Sequence, residues 1–112
     1  MNIGFIGAGN MGSAIIGGIL SNSIASPSEV IVSHINETAL SSLKEKYGVC
    51  TVSDNRDCAI KSDILFLCVK PNILYSVIDE IKNTVNEKTI IVSIAAGQSL
   101  EKMTAAFGKD EI

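Results

Sequence analysis

The sequence predicts an α/β fold, a doubly wound parallel sheet of about five strands with helices on both faces. Short apolar runs rich in β-branched residues alternate with longer segments of helical period, and a glycine-rich turn follows directly on the first run. Bulk composition agrees: of 112 residues, 46% are hydrophobic and 19% charged, and the mean hydropathy is +0.35. That balance suits strands buried on both sides and excludes a disordered chain. A chain of this length holds one compact domain.

The predicted strands are 2–6 (NIGFI), 30–33 (VIVS), 49–52 (VCTV), 63–69 (DILFLCV) and 89–95 (TIIVSIA), each nearly free of charge. Between the first two, Met11, Ile15, Ile16, Ile19 and Leu20 form one apolar stripe at helical spacing. Ala39, Leu40, Leu43 and Tyr47 form a second, and Ile73, Leu74, Val77, Ile78, Ile81 and Val85 a third. Asn36, Asp54, Asn72 and Ser99 stand where N-caps are expected, and Gly48 and Gly108 where helices stop. Pro71 ends the strand before it. The alternation of strand and helix implies right-handed crossovers.

A net charge of −3 and a pI near 5.0, with no cluster of Lys and Arg, leave little attraction for nucleic acid or an anionic membrane. An anionic ligand must therefore be held by locally aimed groups. Cys50, Cys58 and Cys68 fit neither a paired disulfide framework nor a metal site, and are expected to be reduced. No apolar run approaches the ~20 residues that cross a bilayer, and no basic segment precedes an apolar one at the start, so the expected location is the cytoplasm.

Gly7, Gly9 and Gly12 spell G-x-G-x-x-G between a predicted strand and a predicted helix. In that context the motif reads as the dinucleotide loop of a Rossmann sheet. Gly7 permits the tight turn, Gly9 leaves room for a pyrophosphate, and Gly12 lets the helix pack on the strand. Backbone amides at Asn10 and Met11 then face the phosphates from a helix N-terminus. Ligands of such sheets bind outside the carboxyl ends of the strands, which brings together Gly7–Gly12, Ser33 with His34, Cys68–Pro71 and Ala95–Gly97. Asp54 and Asn55 are expected on the outer flank.

An NAD-binding strand would end in an acid about 20 residues after the glycines. Here it ends VIVSHIN. Ser33 and His34 are either donors that tolerate a 2′-phosphate, favouring NADP, or part of a plain solvated loop. His34 lies too far from a hydride for catalysis. Asp79, Glu80, Glu87, Glu101, Asp110 and Glu111 lack paired spacing and read as a solvated face. Lys70 either touches the cofactor or merely ends its strand.

The segments IGFIGAGNMGSAIIGGIL, SDILFLCVKPNILYSVIDEI and IIVSIAAGQSLEKM together resemble the N-terminal domain of pyrroline-5-carboxylate reductases across essentially the whole chain. The resemblance implies NAD(P)H-dependent reduction of the cyclic imine 1-pyrroline-5-carboxylate to L-proline, the last step of proline biosynthesis. It implies that Ile6, Gly7, Ala8, Gly9, Asn10, Met11 and Gly12 bind the pyrophosphate, Ser33 and His34 the 2′-phosphate, and Asn55 the adenosine side. Cys68, Val69, Lys70, Pro71, Ala95, Ala96 and Gly97 would line the nicotinamide ribose and ring, which assigns Lys70 to the cofactor. His34 departs from the Arg of many members. The cofactor expected is NADP(H), with NAD(H) as an alternative; no metal and no catalytic residue are expected within the chain. The family's second, helical domain mediates dimerisation and supplies substrate contacts, so residues 1–112 are expected to be a dinucleotide-binding fragment, inactive alone. Two other readings are a related dehydrogenase, of the β-hydroxyacid or ketopantoate type, and a non-catalytic nucleotide-sensing module. The missing acid after the second strand disfavours the sensor.

Overall fold

A computed structural model describes residues 1–7, 10–34 and 36–93, and the backbone alone at residues 10, 11 and 71. Ala8, Gly9, Ala95, Ala96, Gly97, the cap Ser99 and the stop Gly108 lie outside the described residues, as do the side chains of Asn10, Met11 and Pro71.

The described chain runs β1 (Ile3–Ile6), α1 (Asn10–Ser21), a 3₁₀ turn (Pro27–Glu29), β2 (Val30–Ser33), α2 (Glu37–Tyr47), β3 (Cys50–Val52), α3 (Asn55–Lys61), β4 (Ile64–Leu67), α4 (Pro71–Ile81) and β5 (Ile90–Ser93). All neighbouring strands are parallel, in the order β3-β2-β1-β4-β5. The strand order reverses beside β1, between β2 and β4, which opens a crevice at the carboxyl ends of those strands.

Strand residues alternate between two cores. Ile3, Phe5, Val30 and Val32 pack with Ile16 and Ile19 of α1 and Leu40 and Leu43 of α2. Ile6, Ile31, Leu65, Leu67 and Ile91 pack with Cys58 and Ala59 of α3 and Leu74, Val77, Ile78 and Ile81 of α4. Helices thus cover both faces, as the uninterrupted apolar strands require. Phe5 and Phe66 stack across β1 and β4 with centroids 4.8 Å apart. Gly4 lies under the end of α3, where an added Cβ would overlap Ser62 Oγ and stand 3.0 Å from Cys58 Sγ. Only glycine lets that helix come so near the central strand.

Local signals held where local chemistry decides. Asn36 caps α2 by accepting from the amides of Thr38 and Ala39, Asp54 caps α3 by accepting from Arg56 N–H, and Gly48 closes α2 at φ 72°. The expected cap Asn72 is a correction: α4 begins at Pro71, with Lys70 as its N-cap, because proline's fixed φ suits the first helical position. The fourth strand is also shorter than 63–69. Its partner β1 ends at Ile6, opposite Leu67, and Cys68 N–H makes a last bond to Ile6 O at 2.8 Å before the chain turns away. Among the described residues no helix is long and apolar enough to cross a membrane.

Candidate functional site

The crevice is assembled by backbone bonds at the strand ends. Gly7, at φ +74°, turns the chain out of β1 and donates its N–H to Ser33 O at 2.8 Å. A Cβ on Gly7 would stand 2.9 Å from Val69 Cγ1 and 3.0 Å from Cys68 O, so β1, β2 and the loop after β4 meet where only glycine fits. Gly12 is buried in the first turn of α1, whose N-terminal amides open beside this junction.

Two clefts adjoin there. The first, of ≈ 360 Å³, is lined by Ile6, Gly7, His34, Asn55, Cys68, Val69 and Lys70, together with Ile73 and Val77 of α4. Seven expected site residues therefore share one cavity. The second, of ≈ 350 Å³, is lined by Ser33, His34, Ser53, Asp54, Asn55, Arg56 and Glu80. His34 and Asn55 form the wall between them.

Asp54 and Asn55, both expected on the outer flank, line the second cleft together, and Asn55 also reaches the first. Helix α3 folds back over the sheet, so Asn55 meets the end of β2. Its Oδ1 accepts from Ser33 Oγ at 2.6 Å, and its Nδ2 donates to Glu80 Oε1 at 2.7 Å. An ionised carboxylate only accepts, so the amide nitrogen must face Glu80 and the oxygen Ser33. Ser33, almost fully buried, is thereby committed as a donor to Asn55. Glu80 is exposed, as expected of a solvated carboxylate, and the packing of α4 beside α3 also sets it at the rim of the second cleft. Asp79, its neighbour, stays on the solvent face and pairs with Lys82 at 2.9 Å.

His34 Nδ1 accepts from Asn36 N–H at 2.9 Å, so the neutral ring carries its proton on Nε2, free to donate. Arg56 reaches Asp54 Oδ1 at 3.4 Å, and the Arg56 N–H holds the Asp54 carboxyl below the usual carboxylate range. Burial pushes the Cys68 thiol up to about 11, which leaves it a neutral apolar wall rather than a nucleophile. Lys70 is exposed at the mouth of the first cleft.

Sequence reasoning missed Ile73, Val77, Arg56 and Glu80. Ile73 and Val77 were visible as i, i+4 members of the α4 stripe, but nothing in that spacing separates cleft wall from core. Arg56 and Glu80 carried no signal, since they reach Ser33 and His34 only through the strand order.

A family model described as NADP oxidoreductase coenzyme F420-dependent matches residues 2–97. The chain belongs to this family. Within it, the expected resemblance to pyrroline-5-carboxylate reductases extends along nearly the whole chain. The Escherichia coli (strain K12) pyrroline-5-carboxylate reductase is 36% identical over 108 residues, covering 96% of this chain and 40% of that protein. A Coxiella burnetii pyrroline-5-carboxylate reductase structure superposes with a TM-score of 0.90 at 33% identity, over 98% of this chain and 41% of the other. A Plasmodium falciparum pyrroline carboxylate reductase, solved with NADP bound, is 27% identical with a TM-score of 0.85, over 99% of this chain and 39% of the other. The chain thus spans about two fifths of the relatives it matches.

Proposed function

We propose that this chain is the cofactor-binding half of a pyrroline-5-carboxylate reductase, binding NADP(H) and, less selectively, NAD(H). The observation that carries the reading is the convergence of the Gly7 turn, His34, Asn55 and Cys68–Lys70 on one cleft at the switch point, in a chain so similar to reductases of that name. The residues fit a dinucleotide. Gly7 keeps side-chain volume out of the approach to the backbone, and Ile6, Val69, Ile73 and Val77 offer an apolar slot for a flat base. His34 Nε2–H and the second Nδ2–H of Asn55 supply directed donors.

In this reading Ile6–Gly12 hold the pyrophosphate, with the amides at the start of α1 stabilising its charge. Ser33, His34 and Asn55 flank the adenosine ribose, and Cys68–Pro71 and Ala95–Gly97 line the remainder of the cofactor. When bound, the nicotinamide supplies the hydride that reduces the C=N carbon of the cyclic imine, while the ring nitrogen takes up a proton. In this reading the chain's own contribution is orientation of the cofactor and exclusion of water from it. The imine carboxylate would be positioned by residues outside this chain, in a helical second domain that also makes the enzyme a homo-oligomer. Three free thiols and a reductive reaction suit a reducing compartment, which we take to be the cytoplasm.

The test compares this chain with the full-length protein. Both are expected to bind NADPH, seen by nucleotide fluorescence, while only the full-length protein oxidises it with saturating imine, because positioning groups are missing from the chain alone. Turnover by the chain within an order of magnitude of full length would refute the division of labour. Failure of either to bind NADPH would refute the cofactor reading.

A further inference from the structure

We propose that Glu80 is a specificity-determining residue for the 2′ position of the dinucleotide, acting both through Asn55 and through its own charge. The inference rests on the cofactor reading above and sharpens it: Glu80 opposes a 2′-phosphate, so that NADH stays a usable alternative to NADPH.

The argument starts from the chain of bonds Ser33 to Asn55 to Glu80, at 2.6 and 2.7 Å. The carboxylate at its end dictates every donor along it. Ser33, almost fully buried, spends its only proton on Asn55, so at the end of β2 it has no donor left for a ligand. Asn55 keeps one Nδ2–H, held in a fixed direction at the wall common to both clefts. A ribose 2′-hydroxyl is both donor and acceptor and matches this pattern. A 2′-phosphate at neutral pH brings only acceptors and charge, finds no donor at Ser33 and meets the Glu80 carboxylate.

The charges of the second cleft point the same way. Its one guanidinium, Arg56, is engaged by Asp54, and no cation pairs with Glu80 among the described residues. The cleft therefore places one compensated pair and one uncompensated carboxylate around His34. Acid at this place usually comes from the end of the second strand; here helix α4 delivers it, 47 residues later in the chain than Ser33.

The experiment uses two probes that report on the adenosine end alone, adenosine 2′,5′-bisphosphate and adenosine 5′-monophosphate, titrated by calorimetry against the full-length protein. Glu80 is exposed, so Glu80→Gln keeps its shape and remains an acceptor for Asn55 while losing its charge. The expected result is a roughly five- to tenfold rise in the affinity ratio of bisphosphate to monophosphate, as for removal of one like charge at a partly solvated site. Glu80→Lys extends the rise, and about 0.5 M salt diminishes it. The positioning role is read separately: Asn55→Ala weakens monophosphate binding in the wild type but adds nothing in Glu80→Ala, where the amide is no longer oriented. An unchanged ratio in both Glu80→Gln and Glu80→Lys overturns the inference while leaving the cofactor reading intact. Binding of neither probe by the wild type overturns both.

Discussion

Replacing Gly4 by alanine puts the packing of the central strand to a quantitative test. The new methyl would overlap Ser62 Oγ and stand 3.0 Å from both Ser62 Cβ and Cys58 Sγ. Ser62 cannot give way freely. It is buried, its hydroxyl donates to Cys58 O at 2.6 Å, and its own carbonyl accepts from Thr89 Oγ1 at 3.0 Å. Rotating the hydroxyl aside leaves a buried polar group unpaired, at a cost of about 1–3 kcal/mol. The remaining contacts still force α3 outward, which costs about 1–3 kcal/mol as overpacking. The sum, about 2–6 kcal/mol, is a large part of the stability of a domain of this size, roughly 6–17 kcal/mol by the usual per-residue range. Urea unfolding followed by circular dichroism should show the midpoint fall with the slope unchanged, and Tm should drop by about 8 °C or more. In Gly4→Ala/Ser62→Gly the overlap with the Ser62 side chain is gone, so the double variant should be less destabilised than the two single changes added together. A loss below about 1 kcal/mol in Gly4→Ala would refute the claimed close approach of α3 to β1.

Four further outcomes are expected. Gly7→Ala should cost about 1–3 kcal/mol for its left-handed backbone, and by pushing Val69 into the first cleft it should weaken NADPH binding at least roughly tenfold, checked by fluorescence titration; undiminished affinity would mean the turn is not part of the site. In the native chain at pH 8 a thiol-reactive dye should label exposed Cys50 first, Cys68 slowly and Cys58 only on unfolding. Because burial raises the Cys58 thiol from 9.0 to about 11, the native state keeps a proton that the unfolded state releases, so stability is intact below pH 9 and declines between pH 9 and 11. A cysteine-to-alanine variant at position 58 should show a smaller alkaline decline, measured as the urea midpoint against pH, with the share of Cys68, whose thiol burial also raises to about 11, remaining. Asn36→Ala removes two cap bonds, of 2.9 and 3.2 Å, and should cost about 1 kcal/mol in the same unfolding assay.

Much of the scaffold was legible along the chain because its causes are local. Two-sided burial of a parallel strand demands an unbroken apolar run, so β1, β2 and β4 announce themselves. A helix lying on a sheet needs a stripe at period 3.6, and its orphan amides need Asn36 or Asp54 at the cap. The Gly7 turn and the helix that starts at Asn10 were legible for the same reason, since both lie within a few residues of β1. What the tertiary structure alone decided is which distant residues share the crevice. Ser33, Asn55 and Glu80 are separated by 22 and 25 residues, and no periodicity relates them. Their meeting follows from the order β3-β2-β1-β4-β5, which lays α3 and α4 side by side over the same face of the sheet. Side-chain spacing encodes which face of an element is buried, but the element it is buried against is chosen by strand order. That is why Glu80 reads as a surface carboxylate in sequence and stands in the fold as the far end of a hydrogen-bond chain from β2.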